Sequence, residues 1–308
     1  MARTNINQYL EDTGDPTLID FKLHDFGYRG VSCDEQAGIG GMAHLTSFMG
    51  TDTVKGIITA QQYYNAQMCG FSIPASEHST MTSWGKDHEL DAFRNMLDQH
   101  PTGLVACVSD SFDIYHACEQ YWGTDLKDQI LGRDGTLVVR PDSGDPIEVT
   151  EKVFEILWKQ FGGTTNEKGY RVLDPHIRMI QGDGIDLNML AMILANFKDK
   201  MISADNIAFG SGGGLLQQFN RDTGRFAFKC CHAIINGESR DIFKSPIAGS
   251  KPSKKGYLTL QKNDGGAFET INDRVLHYSD ENLLEPVYEN GVLLKDQTFA
   301  EIKARILV

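Results

Sequence analysis

Between residues 137 and 215 the chain repeats one physical pattern three times: a short apolar run, a loop of acids and glycines, then a segment with helical spacing. The repeats open at LVVRPDSGDP (137–146), IRMIQGDGID (177–186) and IAFGSGGGLL (207–216). Each run is rich in β-branched or aromatic residues and too short for a helix. Val149, Val153, Ile156 and Leu157, and then Leu187, Leu190, Leu194 and Phe197, recur at helical intervals. Strand, helix and strand in succession predict parallel pairing. Asp145 before Pro146 reads as an N-cap followed by the residue favoured at the first helical position, and Gly162-Gly163 stops that helix. Asp142, Asp183 and glycines 212–214 therefore fall at the carboxyl ends of parallel strands, the face on which such sheets bind ligands.

The same pattern extends upstream. Strands are expected at 19–23, 45–49, 71–74 and 104–108, which with the later three makes seven. A small-residue helix is expected at 35–43. The loop landmarks Asp52, His78, Asp110, Asp142, Asp183 and Gly212 recur at about the length of one strand-helix-strand unit, ~30 residues. The expected fold is α/β: an irregular seven-stranded barrel with a C-terminal β-hairpin appendage. Residues 1–18 read as a polar lead with a helical fragment at 5–10, residues 19–225 as the barrel, and 226–308 as additions packing on it. In that last part Arg221 and Arg225 precede an alternating strand (Phe226, Phe228, Cys230) that carries Lys229. A basic loop with Lys244, Lys251, Lys254 and Lys255 follows, either solvated or a local phosphate funnel. A hairpin is expected at 257–261 and 267–271 around KNDGG, and a final helix at 299–307.

At 308 residues and 41% hydrophobic content the chain can bury one large core. Lys+Arg 29 against Asp+Glu 42 gives a net charge of -13, which argues against nucleic-acid and anionic-membrane partners while leaving local phosphate sites open. The six cysteines show no C-x-x-C pairing, no apolar signal region opens the chain, and no run approaches the ~20 apolar residues of a membrane helix. These features predict a soluble cytoplasmic protein with reduced thiols.

The chemistry lies in the loops. GSGGG (210–214) has the form of a phosphate cradle, since no Cβ obstructs the backbone amides; tight strand-helix packing is the competing reading. Asp142 and Asp183 can accept hydrogen bonds from a ribose diol or hold Mg²⁺ through water, and Asp110 and Asp142 are the candidate metal ligands. Arg29 and Arg140 offer planar forks to phosphate oxygens. His78 can act as a base or accept a phosphoryl group if Glu77 or Asp110 orients its other nitrogen. His24, Phe26, Tyr28 and Arg29 crowd one loop with groups able to stack on a ring. No HExxH, cysteine cluster or serine-nucleophile elbow is present. What remains is a site for a phosphorylated sugar and an aromatic base.

KLHDFGYRGVS, GTDT, PASEHST, SDSFDIY, RPDSGDP, QGDG and NIAFGSGGGLLQ, in this order and spacing, resemble the nicotinamide phosphoribosyltransferase family from about Lys22 onward. The resemblance implies a type II phosphoribosyltransferase, a homodimer, making nicotinamide mononucleotide and pyrophosphate from nicotinamide and phosphoribosyl pyrophosphate with Mg²⁺. It implies that Phe26 stacks on the pyridine ring and Asp52 reads its amide. Arg29, His78 and Arg140 would face pyrophosphate, with Asp142 between ring and ribose. Gly182 and Asp183 would hold the ribose, while Gly213, beside Gly212, and Arg221 would take the 5′-phosphate. His78 matches the histidine that the family phosphorylates with ATP as co-substrate. Family members carry a long region ahead of HDFGYRG, so a separate chain supplying it is a further implied partner. The alternatives are a nicotinate phosphoribosyltransferase, which a carboxylate at Asp52 disfavours, and a noncatalytic fragment or subunit.

Overall fold

Two-sided burial shapes the strands. In β4 (Asp134–Arg140) Leu137 and Val139 pack outward into the main core, and Ile177 and Met179 of β5 (Ile177–Gln181) and Ile207 and Phe209 of β6 (Ile207–Ser211) join them. The alternate positions Val138, Ile180 and Ala208 face the other way and meet Ala106, Ile73 and Phe26 in a smaller inner cluster. The computed structural model describes residues 1–224, 229–245 and 253–306. They fall into two compact units, Met1–Phe219 with Thr298–Val308, and Asn220–Gln297.

Together with β1 (Leu23–Asp25), β2 (Gly50–Thr51) and β3 (Thr102–Val108), these strands form a parallel sheet in the order β2-β1-β6-β5-β4-β3. Segment 71–75 spans the gap between its two edges. The Phe71 N–H donates to Met49 O (2.8 Å) and Thr51 N–H donates to Phe71 O (2.9 Å) on one side. On the other, Ala106 N–H donates to Pro74 O (2.9 Å) and Ser76 N–H to Ala106 O (3.0 Å). The seven segments therefore follow one another around a ring in chain order, the irregular α/β barrel expected. Pro74 has no N–H to give, so this segment makes isolated bridges rather than a ladder.

Several expectations are corrected. Residues 1–18 are more than a polar lead: Ala2–Thr13 is a helix whose Ile6 and Leu10 are buried in the main core, and the Lys168 ammonium binds the carbonyls of Leu10, Glu11 and Gly14 at its end. The strand expected at 19–23 begins at Leu23, because Pro16–Phe21 forms a 3₁₀ turn capped by Asp15. Leu45 closes helix Asp34–Leu45, so the strand expected at 45–49 is displaced to Gly50–Thr51. A Cβ on Gly50 would lie 2.4 Å from the His24 ring, which explains a glycine in that ladder. The outer helices Pro146–Phe161 and Leu187–Asp199 follow the expected pattern, with Asp145 and Asp186 as N-caps. The third helix is a single turn, Gly213–Leu216.

In the second unit the expected hairpin is present one residue later, Leu258–Lys262 paired antiparallel with Phe268–Asn272. Two further hairpins, His232–Ile235 with Glu238–Asp241 and Tyr288–Glu289 with Val292–Leu293, turn on Asn-Gly pairs in which both residues have positive φ. Arg225, Phe226, Phe228 and Lys251 lie outside the described residues, as does Leu307. The last helix, Phe299–Ile306, belongs to the first unit, where Phe299 packs with Leu45, Ala60 and Cys69. Among the described residues no helix is long and apolar enough to cross a membrane.

One buried acid makes the fold pH-sensitive. Glu89 opens helix Glu89–Gln99, is 4% exposed, and its Oε1 has no hydrogen-bond partner. Burial, with Asp113 adding to it, pushes this carboxyl up to about 7 from an ordinary 4.5. The unfolded chain gives up this proton first, so Glu89 costs stability progressively as pH rises from 4.5 to about 7. Glu89→Gln should raise the melting temperature by a few degrees at pH 8, at ~2–4 °C per kcal/mol, and leave it nearly unchanged at pH 4.5. Calorimetric scans showing the same shift at both pH values would contradict this.

Candidate active site

The carboxyl ends of the barrel strands open into one cavity of about 700 Å³. Phe26, Arg29, Asp52, His78, Arg140, Asp142, Gly182, Asp183, Gly212 and Gly213, ten of the residues singled out from sequence, line it. Phe26 is placed by its backbone and by missing side chains around it. Buried Asp25 accepts the Gly27 N–H (2.8 Å), and the Phe26 N–H donates to Ser211 O (3.0 Å). A Cβ on Gly210 would stand 1.9 Å from a ring carbon of Phe26, and one on Gly182 would stand 3.5 Å away. The ring therefore occupies space that Gly210 leaves open, with Gly182 at ordinary contact distance.

His78 starts helix His78–Thr82, with Glu77 as its N-cap in a capping box with Thr80. Glu77 is thus used by the helix, and the other candidate, Asp110, holds the imidazole. His78 Nε2 lies 3.0 Å from Asp110 Oδ1, and the Ser143 hydroxyl donates to Asp110 Oδ2 at 2.5 Å. The Asp110 side chain is 4% exposed, so this pair is nearly dry on the acid side. His78 Nδ1 faces Asp142 Oδ2 at 3.8 Å, and Arg140 Nη2 lies 3.7 Å from the same oxygen. Burial raises the Asp142 carboxyl above the usual range while the Arg140 guanidinium opposes the rise. The Arg140 Nε is buried without a partner.

The Ser211 hydroxyl donates to the Ile185 carbonyl (2.6 Å), tying the loops after β5 and β6 together, and Gln181 braces the first of them by donating to the Asp183 carbonyl (3.0 Å). A Cβ on Gly214 would lie 2.8 Å from the Ile185 carbonyl oxygen, whereas one on Gly213 would meet nothing within 4 Å. Gly214 is therefore needed for packing, and Gly213 exposes its backbone to open cavity. With only one helical turn behind it, this loop relies on its own amides more than on a helix dipole. Arg29 is exposed, and among the described residues no carboxylate pairs with it. Arg221 belongs to the second unit, where its exposed guanidinium pairs with Asp222 at 3.2 Å.

The acids suit a cation that arrives with its substrate. Among the described residues no group of three or more His, Cys, Asp or Glu side chains could hold a metal unaided. Both oxygens of Asp110 are engaged by His78 and Ser143, which makes it the poorer ligand. Asp142 and Asp183 line the cavity and fit Mg²⁺, which is commonly bound by one or two carboxylates together with substrate phosphates. Sequence alone did not mark Ser143, Asp25 or Ser72, whose hydroxyl donates to Asp52 Oδ1 at 2.6 Å, and it marked Gly210 only as part of the glycine cradle and not as the slot for Phe26. Ser143 and Asp25 stand inside motifs already singled out, and that proximity is the signal that could have found them.

A solved structure shares this architecture. The nicotinate-nucleotide pyrophosphorylase of Pyrococcus furiosus superposes with a TM-score of 0.58 at 16% identity, covering 99% of this chain and 68% of that one, a likeness of fold. The profile of the nicotinate phosphoribosyltransferase (NAPRTase) family matches residues 21–291, and the chain belongs to that family. It is 44% identical to a nicotinamide phosphoribosyltransferase of Xanthomonas campestris pv. campestris over 97% of its own length and 66% of that protein's. It is 35% identical to one of Acinetobacter baylyi over 92% and 60%, and 34% identical to one of Mycoplasma pneumoniae over 87% and 58%. The chain thus spans rather less than two thirds of the curated relatives it matches.

The glycine slot is directly testable. Gly210→Ala must push the Phe26 ring aside and should lower the melting temperature by several degrees, whereas Gly213→Ala should leave it within about 1 °C. Equal melting of the two variants would mean that Phe26 does not lie in the Gly210 slot.

Proposed function

We propose that this chain carries the transfer of a phosphoribosyl group from phosphoribosyl pyrophosphate to nicotinamide, giving nicotinamide mononucleotide and pyrophosphate. The observation behind this reading is the convergence on one cavity of an aromatic ring, an acid able to read an amide, two arginines and an open glycine backbone. Similarity to proteins named nicotinamide phosphoribosyltransferase supports it. In this reading Phe26 positions the pyridine ring and Asp52 accepts from its amide. Asp183 accepts from the ribose diol and the 5′-phosphate lies on residues 212–214. The ring nitrogen gives its lone pair to the anomeric carbon as the bond to pyrophosphate oxygen breaks, and that electron pair leaves with pyrophosphate. Arg29 and Arg140 stabilise the departing charge. Mg²⁺ held by Asp142 and Asp183 would neutralise part of the same charge when bound. Nicotinate is the rival acceptor, but its carboxylate would confront that of Asp52.

The His78–Asp110 pair supports a second step with ATP. Asp110 accepts the Nε2 proton, which leaves the lone pair on Nδ1, the nitrogen turned toward Asp142. The γ-phosphoryl group of ATP passes to Nδ1 as its bond to ADP oxygen breaks, and ADP leaves.

The deciding assay supplies nicotinamide, phosphoribosyl pyrophosphate, Mg²⁺ and ATP and follows nicotinamide mononucleotide, with the chain alone and with the remaining portion of a longer relative added. Product is expected in at least one arm, and none in either would overturn the reading. Asp183→Ala should weaken phosphoribosyl pyrophosphate binding by about tenfold in calorimetry, and unchanged affinity would remove Asp183 from the ribose. ATP should leave acid-labile phosphate on Nδ1 of His78, absent from His78→Ala; phosphate found on Nε2 by NMR would refute the assigned tautomer.

A further inference from the structure

Ser72 lies on the segment that closes the barrel, between its bridges at Phe71 and Ala75. Its hydroxyl donates to Asp52 Oδ1 at 2.6 Å, the only hydrogen bond to that carboxylate among the described residues. The loop bearing Asp52 is pinned by its own backbone: the Asp52 N–H donates to Asp25 O (2.9 Å) and the Thr53 N–H to the Thr51 hydroxyl (3.0 Å). Only the carboxylate torsion remains to be set, and Ser72 sets it. His24 is near enough to feel the Asp52 charge, but its Nε2 is engaged with the Phe21 carbonyl at 3.0 Å and among the described residues no hydrogen bond joins it to Asp52.

We propose that Ser72 is a positioning residue that makes Asp52 selective for an amide over an acid, an inference that rests on the nicotinamide reading above. A serine hydroxyl has one proton. Spent on Asp52 in a short hydrogen bond, it fixes one carboxylate oxygen and leaves the other to accept from a ligand N–H. A ligand carboxylate at the same point has no N–H to offer that fixed oxygen and brings like charge against it. Without the hydroxyl, Asp52 can turn away from that point, and the penalty against an acid falls. Ser72 thus acts through Asp52, not by contact with the pyridine.

The test titrates nicotinamide and nicotinate into the full chain by calorimetry and measures product from each with phosphoribosyl pyrophosphate and Mg²⁺. Ser72→Ala should narrow the preference for nicotinamide by about tenfold, the scale of one lost charge-assisted bond. Ser72→Thr keeps the hydroxyl and should restore most of it. In an Asp52→Asn background Ser72→Ala should produce no further change in the ratio. A purely structural role would shift melting and weaken both pyridines alike. If Asp52→Asn erases the preference while Ser72→Ala preserves it, the Ser72 proposal fails and the nicotinamide reading stands. If neither the wild-type chain nor the chain with the remaining portion of a longer relative gives product from nicotinamide, both fail together; if Asp52→Asn leaves the preference unchanged, another residue reads the amide and the Ser72 proposal fails.

Discussion

Four backbone hydrogen bonds hold segment 71–75 between strands that would otherwise be the free edges of a curled sheet. Closure matters because only a ring brings the ends of all seven segments around one mouth; an open sheet would spread the same loops along a line. The segment itself contributes to that mouth. Ser72 reaches Asp52 from one of its bridges, and the chain leaving the other runs through Ser76 and Glu77 to His78. Ser76 also donates and accepts at its own edge, taking the Val108 N–H at 2.9 Å. Two isolated parallel bridges thus fix two side chains of the cavity.

The mouth resolves an electrostatic contradiction in the composition. A chain of net charge -13 repels polyanions in bulk, yet Arg29 and Arg140 face the cavity and neither makes an ion pair shorter than 3.7 Å. Nearby acids are kept from cancelling them in different ways. Asp110 is consumed by His78 and Ser143, Asp52 by Ser72, and burial favours the neutral form of Asp142. The result is a cavity whose two arginines remain open to an anion inside a globally acidic chain.

Much of this was legible before the structure. The strand at 104–108 and the three opening the repeats at Leu137, Ile177 and Ile207 read correctly because burial on both faces makes their sequences nearly continuous in apolar residues. The strands near 19–23 and 45–49 were misplaced because the apolar residues there pack a 3₁₀ turn and a helix end. The pairing falls on His24, Asp25, Gly50 and Thr51, polar or small residues that carry no strand signal. Helix Ala2–Thr13 had only Ile6 and Leu10 as its buried i, i+4 pair in a polar stretch. The two extra hairpins were announced by Asn236-Gly237 and Asn290-Gly291, a turn signal stronger than the short strands it joins. In the site, residue types and motif order together with the family resemblance, which alone supplied Gly182, nominated ten cavity residues. The choice of Asp110 over Glu77 for His78 needed the adjacency of the closing segment and β3, which spacing along the chain does not encode.

The central claim is that one cavity reads a pyridine amide at Phe26 and Asp52 and a sugar phosphate at the glycine loop. A crystal structure of the chain with nicotinamide mononucleotide tests it most directly. The pyridine should lie against Phe26 with its carboxamide nitrogen within hydrogen-bond distance of Asp52, and the phosphate should rest on the backbone of residues 212–214. A nucleotide bound elsewhere, or one with its phosphate at Asp52 and its ring over the glycines, would contradict the account.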